Sequence, residues 1–150
     1  MELPHFLTPD QVAAAHRLVT ERNPNRGYLQ SFTKVPALHA MLRAALERSG
    51  EPYEICDDKL TLSWHPPGKH VGPHQDTPLS GSTHKLAVCL QAPAEGGATR
   101  FYAFLNGPET RRVEHEAGKA MIFDIKQWHS GEKHSGTKVL VGAKLRRTDA

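Results

Sequence analysis

The sequence of 150 residues predicts a mainly β fold supported by two N-terminal helices, organised as a single domain. Up to about residue 50, apolar residues recur at helical spacing; from Pro52 onward, short apolar or alternating runs are separated by Gly, Pro, Asn and Asp. Many short strands at this spacing indicate a sandwich, a jelly roll or a barrel. We therefore assign helical support to residues 1–50 and a β core to residues 51–150.

The first helix is predicted from about Pro9 to Arg22. Thr8 is a favourable cap, Pro9 is preferred at the first helical position, and Gln11 completes a capping box. A second helix is predicted to end at Gly50, because apolar residues recur along one face at Leu38, Met41, Leu42, Ala45 and Leu46. Both helices are expected to lay their apolar stripe against a sheet and to act as scaffold.

The β core is predicted from runs that are rich in apolar residues or alternate between apolar and polar residues. The predicted strands cover residues 59–64, 71–76, 85–90, 98–104, 111–116, 119–125 and 138–145. Such strands do not alternate with helical segments, so a parallel sheet with crossover helices is disfavoured.

Export and membrane insertion are disfavoured by the sequence. No apolar run approaches the roughly 20 residues that span a bilayer, and the start, MELPHFLTPDQ, lacks the features of a secretory signal. We therefore expect a cytoplasmic protein without a membrane partner. In that reducing compartment, Cys56 and Cys89 are expected to be free thiols.

A basic C-terminal segment accounts for much of the net charge of +3. No aromatic residues are interleaved with its charges to stack on bases, so nucleic acid is disfavoured as a partner. The basic residues are Lys138, Lys144, Arg146 and Arg147.

Histidine is unusually frequent, with ten residues, and one of them lies in the segment GPHQDTP. If this segment is extended, His74 and Asp76 point to the same side and can hold a divalent cation. Such a pair is also a common hydrogen-bonded arrangement, so a metal site requires a third ligand. His129, after an apolar strand, is the candidate, since two histidines and one carboxylate leave three positions open on iron(II). Lys138 opens the last strand, and a buried lysine there requires an anion such as a dicarboxylate cosubstrate.

From about Asp58 to Asp149, the sequence resembles the prolyl-4-hydroxylase-like branch of the iron(II)/2-oxoglutarate-dependent dioxygenases. The segment LTLSWHPPGKHVGPHQD resembles a strand, a Pro-Gly turn and the metal-binding His-x-Asp, and KLAVCLQAPAEGGATRFY resembles a strand followed by Glu-Gly-Gly-x-Thr-x-Phe. EAGKAMIFDIKQWHSGEKHSGTK then resembles the Gly-x-Ala-x-x-Phe-Asp strand, the distal His-x-Gly and the block Ser-Gly-Thr-Lys. The resemblance implies that the β core is a double-stranded β-helix.

The resemblance also implies the site and its chemistry. His74, Asp76 and His129 would bind iron(II), and Lys138 would bind the distal carboxylate of 2-oxoglutarate. Dioxygen would then oxidise 2-oxoglutarate to succinate and carbon dioxide, with hydroxylation of a substrate carbon; ascorbate is a candidate further requirement. Related halogenases replace the aspartate with a small residue, so an intact Asp76 favours hydroxylation. The implied substrate is a prolyl residue of a peptide or protein, or a small amino-acid-like molecule.

Two departures from the family pattern leave alternatives open. Where the family has a tyrosine that helps to hold 2-oxoglutarate, this chain has His65, preceded by Trp64. Either His65 replaces the tyrosine or Trp64 simply packs there, and Trp64 is also a candidate substrate contact. The strand 85–90 lacks the hydroxyl that family members often present, and Thr99 is the candidate replacement, with Tyr102 as the other. Arg100 is a candidate substrate contact, or equally a solvent-facing charge.

The tripeptide HSG occurs at residues 129–131 and again at 134–136 and creates a rival assignment. Lys144 follows His134 by a spacing that the family tolerates. We favour His129 because it follows Phe123 and Asp124 at the family's interval and because SGTKVL resembles the lysine-bearing block. His134 is then expected on a loop near the mouth of the site.

Two other functions compete with the oxygenase. A cupin-like protein would bind a metal through the same three residues without turnover, but it has no need for an inward-facing Lys138. A nucleic-acid demethylase would suit the basic C-terminal segment, but no set of base-stacking residues accompanies it.

Overall fold

The computed structural model describes residues 1–149 of the chain. In chain order, these residues form β1 Glu2–Leu3, α1 Pro9–Glu21, β2 Leu29–Lys34, α2 Pro36–Ser49, β3 Tyr53–Ile55, β4 Lys59–His65, β5 Val71–His74, β6 His84–Gln91, β7 Glu95–Gly96, β8 Thr99–Tyr102, β9 Glu109–Val113, β10 Ala120–Asp124, β11 Trp128–Gly131, β12 His134–Ser135 and β13 Lys138–Arg147. No helix among the described residues has the length and apolar character needed to cross a membrane.

The strands form two main sheets, which we call the major and the minor sheet. Within residues 1–149, the major sheet has the order β1-β10-β6-β13-β4-β2, with β3 also paired to β13, and the minor sheet has the order β5-β11-β8-β9. The pairings in both sheets are antiparallel, and β7 and β12 form a separate short ribbon. Strand β13 lies at the centre of the major sheet, between β6 on one side and β4 and β3 on the other.

One face of the major sheet packs against both helices. Their buried residues join alternate residues of the central strands in one apolar core that includes Ala15, Val19, Leu38, Leu42, Leu62, Leu86, Val88, Ile122, Val139 and Val141. Helix α1 begins at a full capping box between Thr8 and Gln11, and α2 ends where Gly50 adopts a left-handed conformation with φ of 73°. The helices therefore act as the scaffold that the sequence predicts.

The other face of the major sheet looks towards the minor sheet. A small apolar cluster joins the two sheets, with Ala87, Met121 and Phe123 from the major sheet and Phe101 and Val113 from the minor sheet. Beside this cluster the space between the sheets is lined largely by polar residues and forms the cavity described below. The sandwich-like arrangement of antiparallel sheets confirms the predicted fold class.

Six strands were not predicted from the sequence. The first 50 residues contribute β1 and β2 to the major sheet, so this region is not purely helical support. The residues of β2, LQSFTK, lie at a sheet edge with exposed and half-buried residues alternating, so they lack a strong apolar pattern. The other four are β3, β7, β11 and β12, and each is at most four residues long. The predicted strand 71–76 is also shorter than expected, because β5 ends at His74.

Candidate metal centre and its cavity

Two strands of the minor sheet position the candidate ligands. His129 on β11 lies directly opposite His74 on β5 in the antiparallel register, and their ring centroids are 4.2 Å apart. Asp76 lies two residues beyond the end of β5, where its backbone N–H donates to the carbonyl of Ile125 at 3.1 Å. The cluster therefore depends on a strand pair and an anchored turn, not on one extended segment from 71 to 76.

The three side chains converge on one point. The Oδ1 atom of Asp76 lies 3.7 Å from Nε2 of His74 and 3.6 Å from Nε2 of His129. One ligand atom from each residue lies within 4.8 Å of the other two. Both nitrogen–oxygen distances are too long for hydrogen bonds, so no direct hydrogen bond accounts for the convergence.

The tautomers of the two histidines suit metal binding. Nδ1 of His74 lies 2.8 Å from the carbonyl of Gly72, and Nδ1 of His129 lies 3.0 Å from the carbonyl of Gln127. A carbonyl only accepts, so each Nδ1 carries a proton, and the lone pair available for a metal is the one on Nε2. Both lone pairs face the same carboxylate, an arrangement that is repulsive without a cation and favourable with one.

Burial strengthens this preference. The side chain of His129 is 8% exposed, and its ring packs edge-on against Phe123 at 4.8 Å. Burial lowers the pKa of His129, while its hydrogen bond to Gln127 and the charge of Asp76 act in the opposite direction. His129 is thus neutral near pH 7, as a metal ligand must be. The Oδ2 atom of Asp76 is buried without a hydrogen-bond partner among the described residues. The donor set of two imidazoles and one carboxylate fits iron(II).

A cavity of about 290 Å³ opens from His74 and His129 into the space between the sheets. It contains Lys138, which is 3% exposed and donates from Nζ to the carbonyl of Gly97 at 3.1 Å. Burial lowers the pKa of Lys138, and no carboxylate of the described residues forms an ion pair with it. A buried ammonium with a single protein acceptor has the capacity to bind an anion in the cavity.

His65 and Thr99 lie on the walls of the same cavity. His65 is opposite Lys138 in the register of β4 and β13, and its ring stacks on Tyr28 with centroids 5.8 Å apart. Burial, followed by the charges of Lys138, His134 and Lys69, lowers the pKa of His65 to about 4. Its Nε2 atom is buried without a hydrogen-bond partner among residues 1–149.

The hydroxyl of Thr99 is held in place by a hydrogen bond to a histidine. Its Oγ1 atom lies 2.9 Å from Nε2 of His115, whose pKa is lowered to about 3, mainly by burial and then by the charge of Lys138. No motif in the sequence marks His115 as a site residue, yet its hydrogen bond orients the Thr99 hydroxyl at the cavity wall.

Two candidate substrate contacts, Trp64 and Arg100, do not line the cavity, for the same physical reason. Side chains on a strand alternate between faces. Trp64 belongs to the helix-facing face of the major sheet, where it is 3% exposed and packs against His16. Arg100 lies on the outer face of the minor sheet, where its guanidinium pairs with Glu132 at 2.8 Å and with Glu109 at 3.4 Å. The alternatives of a packing Trp64 and a solvent-facing Arg100 therefore describe the structure.

The two HSG segments are clearly separated in space and in role. His129 belongs to the ligand cluster, whereas His134 lies on β12 opposite Gly96, where its Nδ1 donates to the carbonyl of Gly136 at 2.8 Å. His134 is 5% exposed, so its predicted place on a loop near the mouth is wrong. Its Nε2 atom is buried without a partner in the described chain.

Three further residues around the cluster and its cavity were not predicted as site residues. Lys85 of β6 lines the cavity, and its Nζ atom lies 3.6 Å from Oδ2 of Asp76. Gln30 of β2 and Tyr28, which directly precedes this strand, also line the cavity, and β2 was not predicted. Lys85 shares a face with Ala87 and Cys89 in a predicted strand, so this alternation is the one signal that pointed to it.

Comparison with known proteins identifies the fold. Neither a family model nor a curated protein sequence matches the chain. Among solved structures, the chain is similar to a collagen prolyl hydroxylase of Paramecium bursaria Chlorella virus-1 in complex with 2-oxoglutarate, with a TM-score of 0.73 and 16% identity over 98% of this chain and 94% of that chain. It is also similar to a prolyl hydroxylase from Trichoplax adhaerens in complex with a peptide of a hypoxia-inducible factor, with a TM-score of 0.73 and 12% identity over 99% of this chain and 84% of that chain. A third similar structure is the non-haem α-ketoglutarate-dependent epimerase SnoN from nogalamycin biosynthesis, with a TM-score of 0.66 and 16% identity over 98% of this chain and 77% of that chain.

These likenesses extend over nearly the whole chain and confirm the double-stranded β-helix that the resemblance implied. At identities of 12% to 16%, they establish the fold and leave the reaction to be argued from the site.

Proposed function

We propose that the protein is an iron(II)- and 2-oxoglutarate-dependent oxygenase that hydroxylates an unactivated carbon. One observation carries the proposal: the convergent cluster of His74, Asp76 and His129 opens into the same cavity as the buried Lys138. A metal-storage protein needs the cluster but not a desolvated lysine beside it. The solved structures of the same fold include 2-oxoglutarate-dependent hydroxylases and epimerases, which supports the cosubstrate but leaves the reaction open.

The residues of this chain would divide the work as follows. His74, Asp76 and His129 would hold iron(II), with the two Nδ1–H groups fixed by the backbone so that each Nε2 faces the ion. Lys138 would hold the distal carboxylate of 2-oxoglutarate, because its ammonium has hydrogen-bond capacity beyond the carbonyl of Gly97. His65, with its unpartnered Nε2, would add a second polar contact to that carboxylate.

Iron(II), 2-oxoglutarate and dioxygen together supply the oxidising power to hydroxylate a carbon–hydrogen bond, with release of succinate and carbon dioxide. The protein contributes position and exclusion of water. Phe101 and Phe123 pack against the ring of His129, and Phe123 also lines the cavity, so the surroundings of this ligand are apolar. The proposed substrates are a prolyl residue of a peptide or protein, or a small amino-acid-like molecule.

The first test measures binding without turnover. Mn(II) followed by 2-oxoglutarate is added to the metal-free protein, and the thermal midpoint is recorded after each addition. A ligand at about 100 times its dissociation constant stabilises the folded state by about 2.7 kcal/mol, so two successive increases in the midpoint are expected. Anaerobic addition of 2-oxoglutarate to the iron(II) protein should also produce a visible absorption band.

Three variants test which residues produce the increases in thermal midpoint. His129→Ala should abolish both increases, because one ligand is lost. His134→Ala is the matched control for the metal step and should retain the response to Mn(II). Lys138→Met should keep the response to Mn(II) but lose the response to 2-oxoglutarate, since the length of the side chain is preserved and its charge is not. A wild-type protein that binds Mn(II) but does not respond to 2-oxoglutarate would instead be the cupin-like metal-binding protein.

A further inference from the structure

A second cavity lies beside the metal cluster and has no part in the function proposed so far. Its volume is about 270 Å³, and Asp76 stands in its wall. Lys85 and Gln30 line both this cavity and the one that contains Lys138. The ligand cluster therefore borders two cavities, with His74 and His129 facing one and Asp76 facing the other.

Two lysines enter this second cavity side by side. Lys85 on β6 and Lys144 on β13 are direct neighbours in the antiparallel register, so both side chains project from the same face of the major sheet. Nζ of Lys85 lies 3.6 Å from Oδ2 of Asp76, and Nζ of Lys144 donates to the carbonyl of Thr77 at 3.2 Å. Two like charges placed directly opposite each other on neighbouring strands are unfavourable unless an anion lies between or beside them.

The local packing makes room for this pair. Gly142 lies in the middle of β13, and a Cβ atom at that position would stand 2.9 Å from Cε of Lys85 and 3.5 Å from Cβ of Thr61. A side chain at position 142 would displace the stem of Lys85. The absence of a side chain at Gly142 therefore allows Lys85 to reach Asp76.

The charges near the pair do not balance once the metal is considered. Asp76 is the one carboxylate that pairs with Lys85 among residues 1–149, and the proposed iron would draw on that same carboxylate. Lys144 forms no ion pair within the described residues, and burial followed by the charge of Lys85 lowers its pKa. With the metal bound, the positive charge of the two lysines and the ion would exceed the single negative charge of Asp76.

The remaining walls complete the chemistry of a substrate site. Phe32 and Leu79 line the cavity and are 37% and 44% exposed, so apolar surface is available to a carbon skeleton. We propose that the second cavity binds the substrate by its α-carboxylate, which lies between the ammonium groups of Lys85 and Lys144. The substrate is then a free amino acid or the C-terminal residue of a peptide, and not an internal residue of a protein. This inference rests on the proposed function and specifies its substrate class.

The experiment compares free acids with their carboxamides. The probes are the twenty free L-amino acids and the matching Gly-Gly-X tripeptides, each prepared as the free acid and as the carboxamide. Binding to the protein loaded with Mn(II) and 2-oxoglutarate is measured by calorimetry, so no turnover is needed. At least one free acid should bind, and its carboxamide should bind about tenfold or more weakly, since hydrogen bonds to charged groups are the strong ones. Comparison of amino acids with tripeptides distinguishes the two sources of the carboxylate.

The lysines are then tested individually. Lys85→Met and Lys144→Met should each weaken binding of the free acid about tenfold or more and leave binding of the carboxamide nearly unchanged. Lys144→Arg, which keeps the charge, should restore much of the loss. Lys133→Met removes the same charge from an exposed residue that lines neither cavity, and it should have no effect.

Two results overturn the inference. Equal binding of acids and carboxamides, or no binding by any probe to a protein that responds to 2-oxoglutarate, shows that the lysine pair does not hold a carboxylate. Absence of any response to 2-oxoglutarate instead refutes the proposed function itself. The two failures are therefore distinguishable within one set of samples.

Discussion

The two faces of the major sheet are built from alternate residues of the same strands, yet they differ in chemistry. On its helix-facing side, β13 contributes Val139, Val141, Ala143 and Leu145 to the apolar core. On its cavity-facing side, the same strand presents Lys138, Leu140, Gly142 and Lys144. Because successive side chains of a strand point to opposite faces, this one segment supplies both core residues and cavity residues.

The difference extends to the energetics. The helix-facing side removes apolar area from water with few polar groups to satisfy, which stabilises the fold. The cavity-facing side buries Lys138 and leaves Nε2 of His65 without a partner among the described residues, and both features lower stability. Substitutions on the helix-facing side should therefore mainly lower stability, whereas substitutions on the cavity-facing side should mainly lower ligand binding.

Adjacent residues on β4 give the largest contrast. Leu62 is fully buried on the helix-facing side, and Leu62→Ala should lower the free energy of unfolding by about 2–5 kcal/mol through loss of apolar contacts and a residual cavity. Ser63 points to the cavity, where its Oγ donates to Oε1 of Gln30 at 2.8 Å, and Ser63→Ala should cost about 1 kcal/mol. Urea unfolding measures both. Similar losses in the two variants would contradict the separation of the faces.

The burial of His65 should make the protein less stable at acid pH. Its folded pKa of about 4 lies below the usual value of 6.5, so between these values the unfolded state binds a proton that the folded state excludes. The free energy of unfolding should therefore fall as the pH decreases through this window, by up to about 3 kcal/mol from this group. The charges that face His65 are Lys138, His134 and Lys69, and all three disfavour its protonation.

The matched variant for this effect is His65→Gln, which does not titrate. Urea unfolding of both proteins at about pH 7 and about pH 4 isolates the contribution of His65, because other titrating groups cancel in the difference. The wild type should lose stability relative to the variant on acidification. A difference that stays constant with pH would show that His65 is readily protonated in the folded protein.

The contrast between the faces also explains what could be predicted from the sequence. Helix-facing residues repeat at regular periods, so both bounds of α1, the end of α2 at Gly50 and the central strands were predicted to within about two residues, whereas the start of α2 was not predicted. The cavity is also bordered by short polar strands, LQSFTK of the major sheet and WHSG of the minor sheet, which have no apolar period. His74, Asp76, His129 and Lys138 were nevertheless predicted, because resemblance to a family preserves their order along the chain.

The sequence did not determine which face of the sheet each side chain occupies. Trp64 and His65 are neighbours with opposite directions, and only the register of β4 against β13 places His65 opposite Lys138. Lys85 and Lys144 are far apart in sequence and are brought together by the pairing of β6 with β13. Pairwise contacts of this kind depend on strand register, which a single sequence with uneven periodicity does not determine.

The smallest expected change in stability is at Lys138, and its sign is informative. Burial lowers the folded pKa of this lysine below its usual value of 10.5, so the charged form destabilises the folded state, and stability rises as the pH increases from the folded pKa to 10.5. Replacement of the charge in Lys138→Met should leave the metal-free protein as stable as the wild type or more stable by about 1 kcal/mol. With Mn(II) and saturating 2-oxoglutarate the order should reverse, because only the wild type gains the stabilisation by the cosubstrate. Thermal midpoints of both proteins in both conditions measure this reversal. A metal-free variant less stable by more than about 2 kcal/mol would instead assign Lys138 a structural role through its bond to Gly97.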